Sequence, residues 1–207
     1  MIVLSQKKHS GLRTFNNVLT IIVVLLGVYI IVTPFLPRLT YWWQNRNKSA
    51  NSIPYKSNLS ENDQKDNSNL PNPPNRHLVI PSMNLDVEIF EGTSSSTLNK
   101  GVWRRPKTST PDKGGNTVLV AHRFVYTGEA PFYHLDKVKK DDTFAVFWEG
   151  KEYNYKVREI KVVNPSAIEI ENNTSESIIT LYTCTPMWTA KQRLVVIANL
   201  TSQTTIQ

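Results

Sequence analysis

One uninterrupted apolar run divides this chain of 207 residues. Residues 18–36 read VLTIIVVLLGVYIIVTPFL and contain no charged side chain. As an α-helix rising ~1.5 Å per residue, the run spans about 28 Å, close to the ~30 Å hydrocarbon core of a bilayer. It lacks the polar face that a helix at the surface of a soluble protein keeps. The run therefore predicts a transmembrane helix, so the chain on each side of it must fold separately.

The residues after the run favour an uncleaved anchor over a secretory signal peptide. A signal peptide has an apolar region of only ~7 to 15 residues and ends at a small-residue cleavage site. Here Pro37 and Arg38 follow, and then residues 41–43, Tyr-Trp-Trp, which are typical of an interfacial aromatic belt. Basic residues are nearly balanced across the helix. Because a long downstream domain is translocated largely regardless of its charge, we predict that residues 1–17 are cytoplasmic.

The segment that follows, residues 37–75, has the composition of a linker. Nine of the positions from 45 to 75 are Asn, and the stretch closes with Leu-Pro-Asn-Pro-Pro at residues 70–74. Such a sequence buries too little apolar surface to offset the entropy lost on ordering its backbone. We predict a tether between the anchor and a folded domain at 76–207.

The net charge of +7 suggests a nucleic-acid partner only until the charges are located. Residues 1–75 hold eight Lys and Arg against three Asp and Glu, whereas residues 76–207 hold sixteen against fourteen. A nucleic-acid-binding domain carries its basic excess on the folded part, as a patch or stripe. The distribution here excludes that class and assigns the excess to the membrane-flanking region.

From His77 onward the sequence changes to short segments rich in β-branched and aromatic residues. Turn-forming Gly, Pro, Asn and Asp separate these segments, which is the pattern of an all-β fold. Seven or eight strands in about 130 residues suit one closed or nearly closed antiparallel barrel. Residues 131–138 predict one or two helical turns. The predicted strands are 77–81, 85–90, 117–121, 143–148, 153–163, 178–183 and 193–200.

Cys184 is the only cysteine of the chain. It cannot close an intramolecular disulfide, and no cysteine or histidine stands near it at zinc-ligand spacing. Three interpretations stay open: a buried small hydrophobe, an intermolecular link or a nucleophile. Cys184 follows a strand in which Ile179 and Leu181 share a face, and it has the opposite parity. Its position at a strand end, beside a loop, favours a thiol that meets a substrate.

Two other side chains stand at strand ends and could assist a thiol. His122 follows the predicted strand 117–121, and Arg193 opens the predicted strand 193–200. A barrel could bring both to the same mouth as Cys184. Each alone has a simpler interpretation, since a terminal arginine is usually solvated and a histidine can be a satisfied structural residue. His77 and His134 are weaker candidates, one at the linker junction and one in the predicted helical turn.

These residues resemble the sortase family. Thr180-Leu181-Tyr182-Thr183-Cys184 matches the TLxTC signature of sortases, Arg193 stands at the downstream spacing of those enzymes, and His122 lies upstream in Val120-Ala121-His122-Arg123. The resemblance covers about residues 77–200. It extends to segments 80–85, 115–118, 131–135 and 140–142.

The resemblance implies a fold and an activity. The fold is the mainly β sortase-like architecture, an eight-stranded closed β-barrel with one or two short helices, here preceded by a single transmembrane helix. The activity is that of an extracytoplasmic cysteine transpeptidase. Such an enzyme cleaves an LPxTG-like sorting signal between Thr and Gly, holds the protein as a thioacyl-enzyme and transfers it to an amine. The domain at 76–207 would then lie outside the cell.

The resemblance also implies roles for single residues. Cys184 would be the nucleophile and His122 the general acid that protonates the leaving amine and later the base for the incoming one. Arg193 would hold the substrate and stabilise the oxyanion of the tetrahedral intermediate. Support for the substrate or oxyanion would come from Thr183, Ala121 and Thr185.

The partners follow from the same resemblance. They are secreted proteins with LPxTG-like sorting signals, the amine of a lipid-linked peptidoglycan precursor or of a pilin, and the membrane through residues 18–36. We expect no cofactor and no required metal, because Asp112, Glu169 and Glu171 are loop acids of a kind that is usually solvated. Compact loops and the lack of an Asp-Pro-aromatic lid in residues 45–75 favour a class D or E sortase over the lidded, pilin-polymerising class.

Two other function classes compete with this one. A membrane-tethered binding module that kept a sortase-like barrel without turnover would have lost Cys184, His122 or Arg193, and all three are present. A papain-like hydrolytic peptidase would place its cysteine near the start of the domain and its histidine well after it. The order here is His, Cys, Arg, which favours the transpeptidase.

Overall fold

The structure, a computed structural model, describes residues 9–33, 72, 74–125 and 128–206. Helix α1 spans His9–Val32 and belongs to a compact unit separate from the β domain. Its segment Arg13–Val32 is long and apolar enough to cross a membrane. The predicted aromatic belt at 41–43 and nearly all of the predicted linker lie outside the described residues.

Ten strands make up the part of the β domain that the structure describes. Eight of them close into a barrel in the order β1-β2-β3-β4-β9-β10-β8-β7, and β5 and β6 form a separate two-stranded hairpin. The predicted eight-stranded closed barrel is therefore confirmed. The strands are β1 His77–Ile80, β2 Leu85–Phe90, β3 Val102–Arg104, β4 Asn116–Val120, β5 Phe124–Val125, β6 Gly128–Glu129, β7 Thr143–Trp148, β8 Lys151–Val163, β9 Ile178–Thr185 and β10 Gln192–Thr205.

The expectation of a purely antiparallel barrel is wrong at two pairings. Strand β2 pairs in parallel with β3, and β4 pairs in parallel with β9. Parallel neighbours need a long crossover connection, whereas a short turn can join only antiparallel ones. The chain makes the first crossover through a 3-10 helix at Ser95–Asn99. Strands β4 and β9 meet because barrel closure brings together segments far apart in sequence.

Strand alternation fixes which side chains fill the barrel. Ile179 and Leu181 of β9 and Leu194 and Val196 of β10 belong to the main buried cluster, so the alternate residues of both strands face outward. Burying an aliphatic or aromatic side chain of this size contributes about 1.5–3 kcal/mol. Outward residues farther along both strands form a second buried cluster, whereas Cys184 and Arg193, near the strand ends, are only half-buried.

Short elements were the hardest to predict from the sequence. Strand β3 and the β5–β6 hairpin have only two or three residues per strand and carry too little periodicity to identify. The helical turns expected at 131–138 appear as turns followed by a 3-10 helix at Leu135–Lys137. Other 3-10 helices of the described barrel domain lie at Pro81–Met83, Pro111–Lys113 and Ile168–Glu171.

Asn75 marks a testable start of the folded domain. Its Oδ1 accepts hydrogen bonds from the backbone N–H of Arg76 at 2.9 Å and of Glu149 at 2.7 Å. We expect fragments 72–207 and 76–207 both to unfold cooperatively. The shorter one should be less stable by about 1 kcal/mol, because the Glu149 N–H loses its acceptor. Urea unfolding followed by tryptophan fluorescence measures the difference, and failure of both fragments to fold would contradict the predicted boundary.

Candidate active site

Cys184 and Arg193 lie directly opposite each other on neighbouring strands. Cys184 is the penultimate residue of β9, Arg193 is the second residue of β10, and the antiparallel register pairs them. Directly opposed residues have Cβ atoms about 4.5–5.5 Å apart and project from the same face. Since Leu181 and Leu194 point into the core, the thiol and the guanidinium both belong to the outer face. Cys184 is half-buried there.

His122 reaches the same level from the other side of β9. Strand β4 runs parallel to β9 and ends with Val120 paired to Tyr182. Two residues further along each chain come His122 and Cys184, so the histidine follows the strand next to the nucleophile candidate. The central strand therefore carries Cys184, with the His122 segment on one side and Arg193 on the other. Sequence reasoning expected a mouth of the barrel; the register puts Cys184 and Arg193 on its outer face, near the strand ends.

The residues that flank Cys184 hold the residues that flank His122. Thr183 is 1% exposed, and its hydroxyl donates to the carbonyl oxygen of Ala121 at 2.8 Å. On the other side, Arg123 donates from Nη1 to the hydroxyl oxygen of Thr185 at 2.8 Å. The three residues predicted to support substrate or oxyanion are thus brought to this point. The hydroxyls of Thr183 and Thr185 are both engaged by the His122 segment.

Arg193 is oriented by the loop before it. Its Nη1 donates to the carbonyl oxygens of Ala190 at 3.1 Å and Gln192 at 2.9 Å. No carboxylate in the described part of the chain forms an ion pair with it. A guanidinium has five N–H donors in a planar fork, so one nitrogen can be fixed by the loop while others bind an external carbonyl or oxyanion.

The imidazole of His122 contacts Asn99, a residue that belongs to neither β4 nor β9. Its Nε2 lies 3.2 Å from Oδ1 of Asn99, the last residue of the 3-10 helix that precedes β3. This contact ties the ring to the segment that precedes β3.

A partly buried polar cluster supports the outer face below Cys184. The Tyr182 hydroxyl donates to Glu171 Oε1 at 2.7 Å, and Arg105 Nε donates to the same carboxylate at 2.9 Å. Glu171 ends the 3-10 helix Ile168–Glu171, which lies in the loop between β8 and β9. Tyr182 thus ties this loop to the strand that carries Cys184.

Burial, and then the hydrogen bond to Glu171, raises the pKa of the Tyr182 phenol above its usual value near 10. The unfolded chain therefore ionises first, so this contribution to stability is complete below about pH 10 and is lost as the pH rises further. We expect the unfolding free energy of the wild type to fall more steeply above pH 10 than that of Tyr182→Phe, by up to about 1.4 kcal/mol per pH unit. Urea titrations between about pH 9 and pH 11.5 measure both slopes. Equal slopes would contradict the buried phenol.

The loop between β9 and β10 adds an exposed aromatic surface beside the site. Trp188 is 67% exposed, and its ring centroid lies 4.8 Å from that of Phe124 in β5. The β5–β6 hairpin directly follows the His122 segment. This contact therefore joins the loop after Cys184 to the loop after His122.

The remaining candidates lie apart from this arrangement. His77 Nδ1 is 2.9 Å from Asp86 Oδ1, and His134 is buried with its ring against Tyr133. His9 belongs to α1. Among the described residues no group of three or more His, Cys, Asp or Glu side chains could hold a metal ion.

The three side chains together provide what acyl transfer needs. A thiolate is a strong nucleophile, an imidazole can move a proton to and from an amine, and a guanidinium can stabilise an oxyanion. The strand register places these three groups on and beside one strand of the closed barrel.

Comparison with known proteins gives the family. The sortase-domain family model matches residues 78–201, and the chain belongs to the sortase family. It is 31% identical to Sortase SrtE1 of Streptomyces coelicolor over 75% of this chain and 49% of that protein. It is 30% identical to Sortase D of Bacillus subtilis over 53% of each. These relatives agree with the class D and E resemblance, and the chain spans about half the length of each.

Solved structures give the same result for the fold. The lid mutant of Streptococcus agalactiae Sortase C1 superposes with a TM-score of 0.56 at 34% identity, covering 61% of this chain and 67% of that one.

Sequence reasoning missed the residues that tie the site together, namely Arg123, Asn99 and Glu171. Arg123 stands beside His122 in the matched motif, but nothing in the sequence distinguishes it from a solvated arginine.

Proposed function

We propose that this protein is a membrane-anchored, extracytoplasmic sortase. It would cleave an LPxTG-like sorting signal between Thr and Gly and transfer the fragment that ends at the Thr carboxyl to an amine. The observation that carries the proposal is the register pair of Cys184 and Arg193 beside the His122 segment. Membership of the sortase family supports the reaction type.

In the first half-reaction the Cys184 thiolate attacks the Thr carbonyl carbon of the sorting signal, forming a C–S bond and a tetrahedral oxyanion. Arg193 donates hydrogen bonds to that oxyanion, an interaction that is strongest where water is excluded. As the intermediate collapses, the Thr–Gly C–N bond breaks and His122 gives its proton to the departing amine. The product is a thioester between Cys184 and the Thr carboxyl carbon.

In the second half-reaction an acceptor amine attacks the thioester carbon. His122, now neutral, takes a proton from the amine, the C–S bond breaks and a new amide bond forms. The Cys184 thiolate and the protonated imidazole are restored together. Water in place of the amine would give hydrolysis, so access of the amine to the thioester decides between transfer and hydrolysis.

The location follows from the anchor and the chemistry. Helix α1 would hold the protein in the membrane with residues 1–17 in the cytoplasm and the barrel outside. Substrates with membrane-retained tails and lipid-linked amine acceptors both reach the outer leaflet. The proposed partners are therefore secreted proteins with LPxTG-like signals and, as acceptor, the amine of a peptidoglycan precursor or a pilin.

Intact-mass spectrometry of the full-length protein in detergent tests the proposal. The protein is mixed with a panel of LPxTG-like peptides, with and without oligoglycine. The expected result is a mass increase equal to the acyl half of one peptide, and a transfer product when the amine is present. A thiol that reacts with iodoacetamide but takes no acyl group from any peptide would instead favour a tethered binding module. A thiol inert to both would make Cys184 structural.

A further inference from the structure

We infer that Arg123 is a positioning residue, which sets the place of His122 relative to Cys184 through Thr185 and Asp136. This inference rests on the proposed function, because it concerns the same site. It goes beyond that function by assigning a role to a buried arginine whose described hydrogen bond and ion pair go to neither the thiol nor the imidazole.

Two hydrogen bonds of equal length flank Cys184 and His122, one on each side. Cys184 stands between Thr183 and Thr185, and His122 stands between Ala121 and Arg123. One hydrogen bond joins Thr183 to Ala121, and a second joins Arg123 to Thr185, each 2.8 Å long. The two reacting side chains are thus bracketed on both sides by bonds between their neighbours.

These two side-chain hydrogen bonds lie where the backbone pairing of β4 with β9 has ended. Strand β4 ends at Val120, so the ladder to β9 has stopped before His122 is reached. Beyond that point side chains continue the connection between the two chain segments. The Thr183 bond holds the residue before His122, and the Arg123 bond holds the residue after it. Without the second bond, the His122 segment would be tied to β9 on one side only.

Arg123 is itself held in place by an ion pair with Asp136. Its Nη2 lies 3.1 Å from Asp136 Oδ2, in the 3-10 helix Leu135–Lys137. The same segment of chain also reaches the histidine, because the N–H of Phe132 donates to the His122 carbonyl oxygen at 3.2 Å. Arg123 therefore joins three segments: that of His122, the end of β9 and the 3-10 helix.

Because the partner Asp136 is 44% exposed, solvent screens the ion pair, and the Arg123 side chain, only 9% exposed, gains little stability from it. Its guanidinium contributes a direction instead, since two of its nitrogens bind a hydroxyl and a carboxylate in fixed geometry. A reacting group displaced by about 1 Å can lose about a hundredfold in rate. Holding His122 in place can therefore raise the reaction rate, although burying the Arg123 guanidinium costs desolvation free energy.

The test removes the hydroxyl that receives the bond. Thr185→Val keeps the shape of the side chain, and Thr185→Ser keeps the hydroxyl. Thr201→Val is the matched control, because the Thr201 hydroxyl donates to the Asn154 carbonyl oxygen at 2.9 Å elsewhere on β10. All variants are made in the full-length protein in detergent. Two quantities are measured: the pH profile of Cys184 alkylation by iodoacetamide and the kcat and KM of peptide cleavage.

We expect Thr185→Val to reduce kcat by about 10- to 100-fold with KM changed less than about threefold, and to shift the alkylation profile. Thr185→Ser should recover most of the kcat and of the alkylation profile that Thr185→Val loses, and Thr201→Val should resemble the wild type in both. Arg123→Met should match Thr185→Val, and the double variant should be no slower than the slower single one, since both remove the same bond. If Arg123→Met does not fold, the two Thr185 variants decide the question.

Three results would overturn the inference: an unchanged kcat and alkylation profile in Thr185→Val, equal damage in Thr185→Ser, or multiplying losses in the double variant. A raised KM with unchanged kcat would make Thr185 a substrate contact instead. Failure of the proposed function is distinguishable, because the wild type would then form no acyl-enzyme. The alkylation profiles need no peptide and would still test the bond.

Discussion

Replacing Cys184 with alanine is expected to abolish acyl-enzyme formation and to reduce peptide cleavage to the assay background, a loss on the order of 10⁴-fold or more. The reason is that no other group at the site can form the C–S bond. Folding should be little affected, because the half-buried Cys184 side chain lies on the outer face and outside the main core cluster. Intact mass and thermal unfolding on the same sample measure the two effects.

Leu181→Ala is the matched control, three residues earlier on the same strand. Leu181 is fully buried and faces the core, so its truncation should cost about 2–5 kcal/mol of stability while a folded fraction keeps its thiol chemistry. Cys184→Ala should thus lose activity and keep stability, whereas Leu181→Ala should lose stability and keep the activity of its folded fraction. A Cys184→Ala protein that unfolds like Leu181→Ala would show that the cysteine is a core residue.

Sequence patterns predicted the barrel well because its long strands alternate clearly. In β9, Ile179 and Leu181 point inward and Cys184 outward, as their parity indicates. Strand lengths were underestimated, since β10 extends to Thr205 through polar residues that have no strand signal of their own. Their partners on β8 hold them in the ladder, and pairing of this kind is invisible in a single segment.

The site was predictable to the level of its motif residues but not of their connections. Cys184, His122 and Arg193 stand at strand ends in the sequence, whereas the pairing of Cys184 with Arg193 depends on the length of the loop at 186–191. Arg123 is harder still. Its burial results from the packing of a 3-10 helix more than ten residues away, and local composition around it would suggest an exposed side chain.

Parallel pairing was the other feature that the sequence could not provide. Adjacent short strands favour antiparallel hairpins, and only closure of the barrel requires β4 to lie beside β9. This pairing matters for function, because it brings the chain after Val120 to the level of Cys184. An antiparallel arrangement would have carried His122 toward the opposite end of β9.

Arg193→Lys is expected to reduce kcat/KM by about 10²–10³-fold, although the charge is kept. One Arg193 nitrogen already donates to the carbonyls of Ala190 and Gln192, so the remaining donors of the planar fork must serve the substrate. An ammonium offers a single centre, which cannot satisfy the loop and an oxyanion together in the same geometry. Steady-state cleavage of the preferred peptide measures the loss.

Arg76→Lys is the control for this exchange. Arg76 also binds through its guanidinium, to Glu149 at 2.9 Å, in the turn that joins β7 to β8. That turn lies beside Lys151, the partner of the last residue of β10, whereas Arg193 is near its first residue. The control should therefore keep near-normal kcat/KM. Arg193→Lys with a rate like that of Arg76→Lys would remove Arg193 from the chemistry, and oxyanion stabilisation would then have to come from backbone N–H groups near Cys184.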